Sequence, residues 1–173
     1  DYNVPIINDR ILDNNRIVAS LETINYLLSK NAKIILMSHL GKIKTKSDLE
    51  ANSLKPVRDE LSILLHKDIK FSSTLKGKEL DDLVNNLNPG DILLLENTRY
   101  MDYPDKLESN CDIELSKYWA SLGDVYILDA FASSHRRHAS TVGIPSYLPH
   151  AVGFLVEREL QELDEIKKEN KTL

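Results

Sequence analysis

The chain of 173 residues has a single cysteine, Cys111, so no disulfide can form within it, and this usage fits a reducing cytoplasm. Long apolar runs are missing as well. None approaches the roughly 20 residues needed to cross a bilayer, and the opening residues carry no cleavable signal pattern. Positive charge is not in surplus: at a net charge of −5 the chain lacks the broad excess of Lys and Arg that nucleic-acid binding requires, so its basic residues must act locally. No G-x-G-x-x-G follows an apolar run, and GKIKTKS at 41–47 lacks the spacing of a phosphate-cradling loop, which argues against an ATP or NAD site. His135 and His138 lie three apart, yet no third ligand follows at metal-binding spacing, so no metal site is expected. Ser133 and Ser134 are not set in a G-x-S-x-G elbow and read as hydroxyls that bond turn backbone. The expectation is one α/β domain in the cytoplasm, with no membrane or nucleic-acid partner.

Three apolar runs are present, and each ends abruptly in a polar cluster: IILMSHLGK at 34–42, ILLLENTRY at 92–100 and VYILDAFASSHRRHAST at 125–141. Continuous branched aliphatics read as strands buried on both faces, which places each cluster just past the carboxyl end of a parallel strand. Open α/β sheets bind ligands along that edge. His39, Lys42, Arg99, His135, Arg136, Arg137 and His138 are therefore expected to converge, and cations gathered with no nearby carboxylate suit a small phosphorylated anion.

Helical stripes alternate with the strands. Leu21, Ile24, Leu27 and Leu28 follow Ser20 as a cap, with a stop at Asn31; Leu54, Val57, Leu61, Leu64 and Leu65 follow Ser53, with Pro56 tolerated in the first turn. IKFSS at 69–73 is a short strand. Further stripes fall at Leu80, Leu83, Val84 and Leu87, at Leu115, Tyr118, Trp119 and Leu122, and at Val156, Leu160, Leu163 and Ile166. This alternation predicts a three-layer, doubly wound, mainly parallel sheet with helices on both sides. DYNVP at 1–5 reads as the polar exit of a strand whose apolar body is missing. The chain is accordingly expected to be truncated before Asp1, leaving unpaired backbone groups and an open apolar slot in the sheet.

DYNVP at 1–5, RIVASLETINYLL at 16–28, AKIILMSHLGK at 32–42, SLKPV at 53–57, GDILLLENTRY at 90–100, ASLGDVY at 120–126, HRRHAST at 135–141 and GFLVEREL at 153–160 together resemble phosphoglycerate kinase, in order and at compatible spacings. The resemblance covers the N-terminal half of that family. It implies a Rossmann-like domain, 1–173, that binds 3-phosphoglycerate or 1,3-bisphosphoglycerate for glycolytic phosphoryl transfer. A helix over 152–170 would lead to an absent C-terminal nucleotide domain holding Mg-ADP or Mg-ATP. By the same resemblance Arg16 reaches the transferring phosphoryl group, and Asp1 and Asn3 bind the hydroxyl and carboxylate end of the glycerate. His39, Lys42, Arg99 and Arg136 surround the other phosphate, Gly41 lets the loop backbone approach, and His135 and His138 support Arg136. The full protein would be a monomeric kinase, and this chain alone would be inactive.

Two departures stand out. Lys42-Ile43 occupies the place where the family usually has Arg-Pro, which keeps the charge and loses the fork. DAFASSHRRH at 129–138 stands where D-A-F-G-T-A-H-R-A-H is usual, with Leu128 in place of Asn, and a glycine replaced by Ala132 costs about 1 kcal/mol if that site needs positive φ. These departures support an alternative, a non-catalytic paralogue or fragment with an anion-binding or assembly role. A third reading is a doubly wound module for another phosphorylated metabolite.

Overall fold

A computed structural model describes residues 1–169. A short antiparallel hairpin, β1 (Ile6–Ile7) and β2 (Arg10–Ile11), leads into helix α1 (Asn15–Ser29). The chain continues through β3 (Ile34–Leu36), α2 (Lys46–Ala51), α3 (Lys55–Leu65), β4 (Lys70–Ser72), α4 (Lys78–Asn85) and β5 (Ile92–Leu95). It closes with α5 (Ile113–Ala120), β6 (Tyr126–Leu128), β7 (His150–Val152) and α6 (Phe154–Glu169). β5 lies between β3 and β4 and runs parallel to both, while β6 pairs in parallel with β7.

All four residues of β5 are buried, and their alternation builds both cores. Ile92 and Leu94 face Ile17 and Ile24 of α1 and Val57 and Leu61 of α3. Leu93 and Leu95 face Leu80 of α4 and Leu115 and Trp119 of α5. Helices thus cover both faces of a mainly parallel sheet, the three-layer architecture read from the apolar runs.

The sheet is in two pieces. β3 and β6 each pair on one side only, and residues of both, Ile34 to Leu36 and Tyr126 to Leu128, line one cavity of about 620 Å³. Tyr2, Ile24, Trp119 and Leu122 complete its walls.

Several boundaries depart from the hydrophobic pattern. α1 starts before Ser20, which lies inside the helix because its hydroxyl donates to the Ile17 carbonyl at 2.7 Å and meets the Tyr2 hydroxyl at 2.9 Å. Ser53 is not the cap of α3. That position is Leu54, whose N–H donates to the Glu96 carboxylate at 2.7 Å. Leu87 falls beyond α4, and α2 has no buried residue to signal it; a Thr45–Asp48 capping box starts it instead. Asn31 does stop α1, in the left-handed region at φ 56°. Along α6 only Val156 of the expected stripe is buried, while Leu160, Leu163 and Ile166 are 45%, 41% and 53% exposed. Residue 170 of the expected 152–170 helix lies outside the described residues.

Candidate functional site

Each of the three strands β3, β5 and β6 opens into a loop that carries cations, and the middle loop organises the other two. In ENTR at 96–99 the first two side chains, Glu96 and Asn97, bind backbone, whereas Thr98 Oγ1 and Arg99 Nε are buried without partners among the described residues. Glu96 is buried and ties α3 to β5: it accepts from the N–H groups of Leu54 and Asn97 and from the Ser53 hydroxyl, all between 2.7 and 2.8 Å. Asn97 is wholly buried and fixes the HLG loop, accepting from Leu40 N–H at 3.0 Å and donating to the Leu40 and Asn52 carbonyls at 2.7 and 2.9 Å. Its Oδ1 also accepts from Arg99 N–H at 3.1 Å, which starts the 3₁₀ turn that follows.

Arg99 has a side chain only 13% exposed and is paired with Asp102 at 3.2 Å, while its Nη1 also donates to Ser109 Oγ at 3.2 Å. Its Nε is buried with no acceptor among the described residues. Across the cleft sits His39. Burial, then the charges of Arg99 and Arg136, lowers its pKa to about 3, so it is neutral at physiological pH. His138 is lowered for the same reasons, burial first and Arg99 next. Three loops therefore place two guanidinium groups within electrostatic reach of the same two imidazoles.

Arg16 lies in the first turn of α1 and does not precede the helix. A cation there opposes the helix dipole, and the Asp1 carboxylate at 2.9 Å compensates it. The other oxygen of Asp1 is 3.4 Å from His39 Nδ1 and accepts from Asn3 N–H at 3.2 Å. Asn3 Oδ1 in turn accepts from Gly41 N–H at 3.0 Å. Gly41 sits at φ +59°, and a Cβ there would come within 2.3 Å of Asn52 Oδ1, so close packing against Asn52 adds to the conformational demand for glycine.

Asp1, Asn3, Arg16, His39, Gly41, Arg99, Arg136 and His138 thus form a linked set. Lys42 stands at its flank, exposed, on a second recess shared with Arg99, Lys44 and Lys106. His135 and Arg137 are exposed. The expectation of cations without carboxylates does not hold: Asp1 pairs with Arg16, and Asp102 lies one turn beyond Arg99, buried rather than forming a surface bridge. Ser133 and Ser134 bond the Ala130 and Phe131 carbonyls at 3.4 and 2.8 Å, as turn hydroxyls do. Ala132 lies in a right-handed 3₁₀ turn and is exposed, so it carries no left-handed strain. Ala132→Gly is expected to change stability by less than about 0.5 kcal/mol in urea denaturation.

The sequence reading missed two carboxylates, Asp129 and Glu108. Asp129, at the end of β6, accepts from Leu155 N–H at 3.0 Å at the start of α6. Asp102 is legible at a spacing of three from Arg99 as a weak surface bridge, and its burial is what the spacing does not show. Glu108 carried no signal, because its partner Ser140 is 32 residues away. Burial pushes the Glu108 carboxyl up to about 7, against the pull of its Ser140 hydrogen bonds. With its folded pKa above the ordinary value, the folded state holds the extra proton between about pH 4.5 and 7, and stability from this group falls as pH rises through that window. Urea denaturation should show a loss on the order of a few kcal/mol between those limits, absent in Glu108→Gln.

Comparison with known proteins decides the family. The family model described as phosphoglycerate kinase matches residues 1–172. The chain belongs to the phosphoglycerate kinase family. A curated phosphoglycerate kinase of Listeria innocua is 54% identical over 161 residues, 93% of this chain and 41% of that protein. One from Macrococcus caseolyticus is 50% identical over the same shares. The solved phosphoglycerate kinase of Coxiella burnetii superposes with a TM-score of 0.81 at 34% identity, covering 94% of this chain and 39% of its own. The chain thus spans about two fifths of the length of these family members. No helix among the described residues is long and apolar enough to cross a membrane.

Proposed function

We propose that this chain is the 3-phosphoglycerate-binding part of a phosphoglycerate kinase. The observation that carries the reading is the junction of Arg99 and Arg136 around the neutral His39, in the loops that follow β3, β5 and β6. A neutral imidazole donates a hydrogen bond to an anion and adds no charge, while the two forks neutralise a phosphate dianion. Arg99 Nε, buried without an acceptor, fits an anionic ligand. Asp1 and Asn3 hold the hydroxyl and carboxylate end of the glycerate, the Gly41 backbone approaches the ligand, and Lys42 adds charge from the flank. His138, whose N–H donates to the Arg136 carbonyl at 3.1 Å, backs Arg136, while His135 is exposed.

Arg16 is the catalytic residue of this reading. Its side chain is 47% exposed and tethered to Asp1 at 2.9 Å, which lets the guanidinium follow a transferring phosphoryl group while staying oriented. The acceptor is a carboxylate that is already ionised, so no general base is needed and these residues act by positioning and charge neutralisation. The sequence holds no glycine-rich phosphate loop, and Mg-ADP or Mg-ATP is assigned to a C-terminal nucleotide domain reached through α6. Residues 1–173 then act as one substrate domain of a cytoplasmic, monomeric glycolytic enzyme.

The test is calorimetric titration of the chain with 3-phosphoglycerate, 2-phosphoglycerate and inorganic phosphate at matched ionic strength. Selective binding of the first supports the reading. Equal binding of all three favours a site for another phosphorylated metabolite, and no binding by a folded chain favours a non-catalytic role. The chain alone is expected to show no ATP-dependent phosphorylation of 3-phosphoglycerate in a coupled assay, and turnover by pure material would refute that.

A further inference from the structure

Glu108 and Ser109 are neighbours in the turn that follows Arg99, and they reach in two directions. The Ser109 N–H and hydroxyl donate to Asp102 at 2.7 and 2.5 Å, and its Oγ accepts from Arg99 at 3.2 Å. Glu108, 1% exposed, accepts the Ser140 N–H at 3.0 Å and the Ser140 hydroxyl, while its backbone carbonyl accepts Ala139 N–H at 2.9 Å. The Ser140 carbonyl is held from the other side by the Tyr126 hydroxyl at 2.9 Å. One residue on, the Thr141 hydroxyl donates to the Arg136 carbonyl at 2.5 Å and accepts from His138 N–H at 3.2 Å. An unbroken chain of contacts therefore runs from Glu108 to the backbone of Arg136, and the adjoining residue grips Arg99.

A buried carboxylate is an expensive way to hold a serine. Among the described residues its nearest ion-pair partner is His138 Nδ1 at 3.9 Å, and His138 is itself biased toward the neutral form. We propose that Glu108 is a positioning residue of the anion site: through Ser140 and Thr141 its carboxylate sets Arg136, while Ser109 in the same turn sets Arg99, so that one turn fixes the spacing of the two guanidinium groups. The choice of ligand below rests on the 3-phosphoglycerate reading; the positioning itself does not.

The device is sensitive to pH because only the ionised carboxylate accepts both Ser140 donors with full strength. The groups facing it are Asp102 and Arg99 from the 98–102 turn, His138 from the basic loop and Tyr126 from β6. Burial and the Asp102 charge favour the proton, and Arg99 and the Ser140 bonds oppose it. Arg136 is therefore held more firmly as pH rises through neutrality.

The test uses the full chain, labelled with ¹⁵N, as parent, Glu108→Gln and Ser140→Ala. In the absence of ligand, the Ser140 and Arg136 amides of the parent should shift together between about pH 6 and 8, with no such step in Glu108→Gln. In the same series 3-phosphoglycerate should bind Glu108→Gln about tenfold more weakly than the parent at the alkaline end. The ionisation of the phosphate itself affects both proteins alike and cancels in the comparison. Ser140→Ala, which keeps Glu108, should weaken binding about threefold, and it decides the matter if Glu108→Gln does not fold. An Arg136 amide that ignores the titration, or a Glu108→Gln variant with the parent's affinity and pH profile, overturns the proposal. If the parent fails to bind 3-phosphoglycerate, the ligand reading falls, and the ligand-free Arg136 response still decides whether Glu108 positions that residue.

Discussion

Replacing Arg99 with alanine is expected to lower the affinity of the chain for 3-phosphoglycerate about a hundredfold, the equivalent of about 2.7 kcal/mol. Charge-assisted hydrogen bonds from a fork contribute roughly 1.5–3 kcal/mol when they are desolvated, and Arg99 is only 13% exposed in its side chain. The substitution also leaves Asp102, 8% exposed, without its cation, so the variant should be less stable as well as weaker in binding. Arg99→Lys should recover the charge and not the fork, with a loss nearer tenfold. Calorimetric titration of variants whose fold is checked by near-ultraviolet circular dichroism makes the measurement. An Arg99→Ala protein that binds within about threefold of the parent would show that the β5 loop does not hold the ligand.

Asn97→Ala is expected to be the most destabilising polar substitution in the site, by about 4 kcal/mol. The side chain is wholly buried and answers four backbone groups: Leu40 N–H, Leu40 carbonyl, Asn52 carbonyl and Arg99 N–H. Alanine removes the partner of all four, two of them in fully buried hydrogen bonds to Leu40. The HLG loop and the turn bearing Arg99 should loosen together, so ligand affinity should fall with stability. Urea denaturation reads the first effect, and a loss under about 1 kcal/mol would mean that the loops are held by other contacts.

Much of the fold is encoded locally in the chain. β5 was legible because ILLL is apolar at every position, as a strand covered on both faces must be; β3 and β6 were legible from their apolar runs too, although only Ile34 of β3 and no residue of β6 is fully buried. The convergence of His39, Arg99 and Arg136 was expected from the basic clusters that follow the apolar runs, and the charges of Arg99 and Arg136 do act on His39. What stayed hidden were the partners. Nothing near Ser20 says that its hydroxyl belongs to Ile17 and Tyr2, and nothing near Glu108 points to Ser140, since such bonds form between segments that only the folded chain brings together. The carboxylates beside the cations escaped for a related reason: a basic cluster reads as free charge until its counter-ions are placed. Membership in the phosphoglycerate kinase family, carried by ordered motifs over nearly the whole chain, agrees with the match to residues 1–172.

The most direct test of the central claim is a two-dimensional NMR titration of the chain with 3-phosphoglycerate, with 2-phosphoglycerate and inorganic phosphate as controls. The account predicts saturable shifts confined to Arg16, His39, Gly41, Arg99 and Arg136, larger for 3-phosphoglycerate than for either control. A well-dispersed spectrum in which these residues ignore all three ligands would contradict it.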